Sequence, residues 1–303
     1  MSRWPTIQKR AIDETNKSKR KSLLTSVITE TNVHLFSGIT AEDLTITPKN
    51  CTVYSSQVRI KAIRFSELDH INSIKSSFKQ EFDYDVFARS FRSRLIQAMH
   101  TTVCPYCNRQ YITMYQKGDD LRASADLDHF FSQSDYPFLA ISVYNLIPSC
   151  QICNSRLKGD IDFYAIPHIN PYERGFDNTA TFKIQDATLL LDSPDVQLKT
   201  GTFKYGLVLS RPDAEIENAI RTFCLNEHYQ THQDYVGELI SKAKIYSEGQ
   251  IKEYLEQFEG LFDSYEEFSG ILFGNYLSQE DQGKRPLAKL TQDILTDIGW
   301  IKN

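Results

Sequence analysis

Two CxxC pairs set the tightest limit on what this chain can fold into. Cys104 and Cys107 stand in CPYC, Cys150 and Cys153 in CQIC, with 42 residues between the pairs. Each CxxC turn can aim two sulfurs at one ion, and two such turns match a tetrahedral all-thiolate zinc site. A single ion would then tie together the ends of the intervening segment. The competing reading is a redox CxxC that follows a strand and opens a helix. The flanks argue against it, because the segment before Cys104 has helical periodicity and the second pair is left without a role. A structural Zn²⁺ held by the four cysteines is expected. Cys51 and Cys224 fall outside the pattern and read as buried small apolar residues.

Between and beside the pairs lie Asp128-His129, Asn145 and Asn154. Singly, each has an ordinary explanation: an Asp-His pair in a turn, an Asn capping a helix. Their order, bracketed by the cysteine pairs, is not accounted for in that way. The run CPYC…DHFF…YNLIPSCQICNSRLK resembles the zinc-knuckle branch of the HNH, or ββα-metal, endonucleases. The resemblance runs from Cys104 to about residue 160. It implies an α+β fold: a ββα core stapled by the cysteine site, within a mainly helical protein that has a small β region after the core. It also implies roles. His129 is the general base that activates water. Asp128 is a ligand of a catalytic metal. Asn145 braces the hairpin loop and orients His129. Asn154 is the second metal ligand, at a position where the family name implies His.

The chemistry is consistent with those residue types. Phosphodiester hydrolysis needs an activated water and charge neutralisation at the phosphate and the leaving oxygen. A near-neutral imidazole does the first. A hard divalent ion on carboxylate and amide oxygens, Mg²⁺ or Mn²⁺, does the rest. Adjacent strand residues point to opposite faces, so Asp128 and His129 can serve one phosphate only at a strand end or bulge. Asp126 shares a strand face with Asp128 and is the fallback ligand. Residues 151–158 read as a helix stopped by Gly159, with Asn154 and Lys158 on one face. Lys158 is thus either a phosphate contact or a cation at a helix C-terminus. Arg109, just past the first pair, either braces the hairpin or touches phosphate. His168 is a reserve ligand or a satisfied core histidine.

Upstream, residues 76–100 read as an amphipathic helix with Phe87, Phe91, Leu95 and Met99 on one stripe and Arg89, Arg92 and Arg94 off it. Downstream, two alternating segments around residues 180 and 205 read as strands. From Pro212-Asp213 onward the pattern is helical. Four regions follow: a basic arm and mixed segment over 1–75, the nuclease core over 76–170, a β-rich connector over 171–212, and a helical region over 213–303. Charge divides along the same line. Residues 213–303 hold 17 Asp and Glu against 8 Lys and Arg, whereas residues 1–212 hold 22 against 26. A mildly basic body suits a nucleic-acid partner, DNA ahead of RNA.

FCLNEHYQTHQDYV, KRPLAKLTQDI and NPYERGFDN further resemble HNH proteins found beside an ATPase in Septu-type phage-defence loci, some of them retron-associated. That resemblance implies an ABC/RecF-like ATPase partner, docked through the C-terminal or N-terminal helices. No long apolar run suggests a membrane helix, the polar N-terminus lacks a signal-peptide pattern, and the cytoplasm is the expected compartment. The reading from a different class is a catalytically inactive zinc-knuckle protein that binds nucleic acid or serves as a scaffold.

Overall fold

The computed structural model describes residues 83–99, 101–136, 139–185, 204–258 and 260–301. The basic arm, the mixed segment to residue 75 and Cys51 lie outside them. Mixed helices and two-stranded antiparallel sheets make an α+β architecture. The described residues fall into two compact units, one of 83–101 and 112–173, the other of 102–111 and 174–301.

In the first unit, helix α1 spans Tyr84–Met99. Leu95, Ile96 and Met99 are buried, as the four-residue spacing requires. The side chains of Phe87, Phe91 and Arg89 are outside the described residues. Strands β1 (Met114–Lys117) and β2 (Asp120–Ala123) form a tight hairpin. Gly118 sits at its turn with φ +63°, a left-handed conformation that glycine adopts without a Cβ clash. Strands β3 (Asp126–His129) and β4 (Leu146–Ser149) pair antiparallel, with Asp128 opposite Ile147 and His129 opposite Leu146.

After β4 the chain enters a π-helical segment, Ile152–Lys158. The expected α-helix is wider here: the Gly159 amide bonds to the Asn154 carbonyl five residues back, at 3.0 Å. Gly159 closes it at φ +48°, ψ −125°. Phe130 packs edge-on against Phe131 and Phe163 at 5.0 and 5.1 Å to form the core behind β3.

In the second unit, β5 (Ala180–Ile184) and β6 (Tyr205–Leu209) pair antiparallel. Helix α2 (Ala214–Thr222) starts where Pro212-Asp213 indicated, with the Asp213 carboxylate accepting from the Ile216 amide at 3.1 Å. The helical run through residue 229 is not continuous. Cys224 takes φ +43° and separates α2 from α3 (Leu225–Tyr229). Cys224 is half-buried rather than buried. Next come α4 (Gln233–Ile245) and α5 (Glu248–Gln257), the latter opened by a Ser247–Gln250 capping box. Gly260, at φ +82°, follows α5, and α6 (Tyr265–Phe273) comes after it. Helix α7 (Ala288–Asp297) lies along β5, and its Asp293 and Asp297 carboxylates accept from the Phe182 and Ile184 amides at 2.9 and 2.8 Å.

Candidate active site and metal centre

The first cysteine turn is held by its own backbone and by Asn108. The Cys104 amide donates to the Gln110 carbonyl at 2.9 Å, and the Asn108 amide to the Cys104 carbonyl at 2.8 Å. Asn108 has φ +51°, a conformation asparagine tolerates better than most residues. Its side chain donates to the Gln282 carbonyl at 2.7 Å and accepts from the Lys289 amide at 3.2 Å. The Tyr229 hydroxyl donates to the Cys107 carbonyl at 2.7 Å. Asn108 was not singled out by the cysteine spacing. A left-handed-tolerant residue directly after a CxxC is the signal that points to it. In the second turn, the Cys153 amide donates to Cys150 Sγ at 3.5 Å.

The four sulfurs are buried and lie within 4.8 Å of one another. Thiolates bonded tetrahedrally to one zinc ion stand about 3.8 Å apart, so donor type and spacing both fit a metal such as zinc. A lone redox CxxC has no use for the second pair beside it.

His129 is the last residue of β3, the strand-end position needed for it to act together with Asp128. Its Nε2 donates to the Ala140 carbonyl at 2.8 Å. A carbonyl can only accept, so Nε2 carries the proton and Nδ1 is left as the basic nitrogen. Burial, reinforced by the Lys158 ammonium, pushes the imidazole below the ordinary histidine pKa, against the raising effects of the Ala140 carbonyl and Asp128. Tyr84 from α1 packs edge-on against the ring at 4.5 Å.

Asn145 is fully buried and braces the loop between β3 and β4. Its Oδ1 accepts from the Phe131 amide at 2.7 Å, and its Nδ2 donates to the Phe131 and Leu139 carbonyls at 2.9 and 3.2 Å. Those bonds fix the peptide next to Ala140, whose carbonyl holds His129.

The remaining groups come together on one side of β3. Asn154 Nδ2 faces Asp126 Oδ2 at 3.4 Å. Lys158 Nζ donates to Asp128 Oδ1 at 2.6 Å and to the His129 carbonyl. It also lies 4.8 Å from the Phe163 ring centroid. Lys158 and Asp128 are both buried, so this is an interior ion pair. Arg92 from α1 donates through Nη2 to Asp126 Oδ1 at 3.1 Å and to the Ala125 carbonyl. Two carboxylates on one strand face plus an amide suit a hard divalent ion by donor chemistry. Each carboxylate also has its own cationic partner.

Arg109 belongs to the other unit. Its Nε donates to His232 Nε2 at 3.1 Å, and its guanidinium lies 5.8 Å from the Tyr229 ring centroid. Burial, and then this guanidinium, push His232 below the ordinary histidine value, which suits a neutral acceptor. His168 is buried, stacked on Phe163 at 3.7 Å, and its Nδ1 bonds the Ile166 carbonyl at 2.5 Å. That is the satisfied core histidine of the two readings offered for it.

No protein-family profile matches the chain. No solved structure matches it. The chain is 29% identical over 86 residues to the Septu protein PtuB of Bacillus thuringiensis, a stretch covering 28% of this chain and 30% of that protein. The similarity thus spans less than a third of the curated relative's length. Among the described residues, no helix is long and apolar enough to cross a membrane.

Proposed function

We propose that this chain is a metal-dependent HNH-type endonuclease that hydrolyses nucleic-acid phosphodiester bonds within a Septu-like anti-phage defence system. The observation that carries the reading is the placement of His129: an imidazole at a strand end, with Nε2 committed to a carbonyl and Nδ1 left as the basic nitrogen. The strand–strand–helix order of β3, β4 and the π-helical segment supports it, as does the partial similarity to a Septu protein.

In this mechanism His129 Nδ1 takes a proton from water as the oxygen forms a bond to phosphorus and the bond to the 3′ oxygen breaks. Asn145 keeps the ring aimed by holding the loop that carries the Ala140 carbonyl. Asp128 and Asn154 would hold the divalent ion, with Asp126 as the fallback ligand. That ion, when bound, supplies charge neutralisation at the phosphate and the leaving oxygen. The four cysteines hold a structural zinc and do no chemistry on the substrate. The Septu resemblance further suggests an ATPase partner, for which the acidic helical region is the docking candidate.

The test is nicking of plasmid DNA by purified protein in Mg²⁺ or Mn²⁺, alone and with an ATPase encoded beside it. Loss of cutting in His129→Ala, with zinc content and melting unchanged, is the expected result. Wild-type protein that binds DNA but never cuts under either condition would favour the binding-module reading instead.

A further inference from the structure

The two basic residues that sequence spacing offered as phosphate contacts each already hold a protein partner. Lys158 is buried and spends two of its three donors on Asp128 and the His129 carbonyl. Arg109 donates to His232. Arg92 is different. Its Nη2 is anchored to β3 through Asp126 and the Ala125 carbonyl, while its side chain keeps 36% of its surface exposed. Among the described residues, its Nη1 has no partner, and its buried Nε has none either. A guanidinium carries five N–H donors in a fixed plane. Here one nitrogen holds that plane in place, and the two N–H groups of Nη1 are left to spend. This is how an arginine is preorganised for a tetrahedral oxyanion, whose oxygens match the fork.

We propose that Arg92 is a substrate-contacting residue that binds a non-bridging oxygen of the nucleic-acid phosphate, and that Asp126 acts chiefly as its positioning residue. The proposal rests on the nuclease reading above and names the group that meets the phosphate. Helix α1 thereby becomes one wall of the site: Tyr84 packs against the base His129, and Arg92, two turns on, meets the phosphate. Asp126 is well suited to positioning, because one oxygen accepts from Arg92 and the other faces Asn154 at 3.4 Å.

The experiment uses the 303-residue chain. Binding of a short duplex DNA to His129→Ala and to His129→Ala/Arg92→Gln is followed by fluorescence anisotropy across a KCl series. Loss of one phosphate contact is expected to lower the slope of log K against log salt by about one. In the cutting assay Arg92→Gln is expected to lower kcat/KM about 10- to 100-fold, the cost of one charge-assisted hydrogen bond. Arg92→Lys, which keeps the charge but loses the fork, should recover only part of it. Asp126→Asn should have little effect once Arg92 is already Gln. Zinc content and melting screen out misfolded variants, and Arg92→Lys serves if Arg92→Gln does not fold. Wild-type-like cutting and an unchanged salt slope in the Arg92 variants would overturn the proposal and leave the nuclease reading standing. Additive Asp126→Asn and Arg92→Gln effects, with a raised Mn²⁺ requirement in Asp126→Asn, would overturn the positioning role. A wild type that never cuts removes the nuclease reading and this proposal with it.

Discussion

His129 and Asn145 show how much single residues carry. The order Asp128-His129, Asn145, Asn154 was legible in the sequence because each needs a particular side-chain chemistry. Their bonding was not, because it depends on carbonyls at positions 131, 139 and 140 that carry no sequence mark. Asn145→Ala is expected to cost about 1–3 kcal/mol, since it leaves buried backbone groups at Phe131 and Leu139 unpaired. It should also lower kcat more than DNA affinity; chemical denaturation and single-turnover cutting check the two effects. The pH dependence follows from the depressed His129 pKa. A base is active when neutral, so the acid limb of kcat/KM should lie below the ordinary histidine value of about 6.5. The same shift favours the folded state at high pH. That stability is fully present above the unfolded value and is lost as pH falls through the lower folded one. A limb above pH 7 in a kcat/KM profile would contradict it. Lys158 shows the opposite case. Spacing placed it beside Asn154 on one helix face, but only packing turned its ammonium onto Asp128 and away from solvent.

Elements were readable where local rules act alone. The stripe of α1 and the Asp213 cap follow from spacing and from short-range hydrogen bonding. Asp213→Ala is expected to destabilise the protein by about 1–2 kcal/mol through loss of the α2 cap, measured by urea denaturation. Arg174, which grips Asp213 at 2.8 and 3.0 Å, loses that contact as well and keeps only Glu215 among the described residues, at 3.0 Å. The β1–β2 hairpin went unread in the sequence: a four-residue strand is too short for alternation to announce itself, and the two-residue Gly118-Asp119 turn was its one local signal. The π-helical segment was not legible at all, because α and π hydrogen bonding differ by one residue of register and share the same side-chain pattern. Its terminator Gly159 was legible. Gly159→Ala is expected to cost more than 1 kcal/mol, because an L-residue there is strained at φ +48°. Thermal melting would show it.

For the whole molecule, the cysteine cluster carries the main expectation about stability. Structural zinc contributes folding free energy directly, so Cys150→Ser and chelator treatment should each lower the melting temperature markedly. Metal analysis of the purified protein should give about one zinc per chain. Unchanged melting on removal of the metal would deny the cluster its structural role. The sequence by itself determined the identity and order of the candidate metal-binding and acid–base residues, because coordination and proton transfer admit few side chains. It also determined the α+β character, because periodicity is local. Tertiary structure alone decided which partner each group takes. It put Lys158 on Asp128 and Arg92 on Asp126, and it assigned residues 102–111 to the unit that holds 174–301 through the bonds of Asn108 and Cys107. Such pairings join residues 30 to 181 positions apart, and the free energy that selects them comes from burial and hydrogen-bond satisfaction in three dimensions, which no short window of sequence contains.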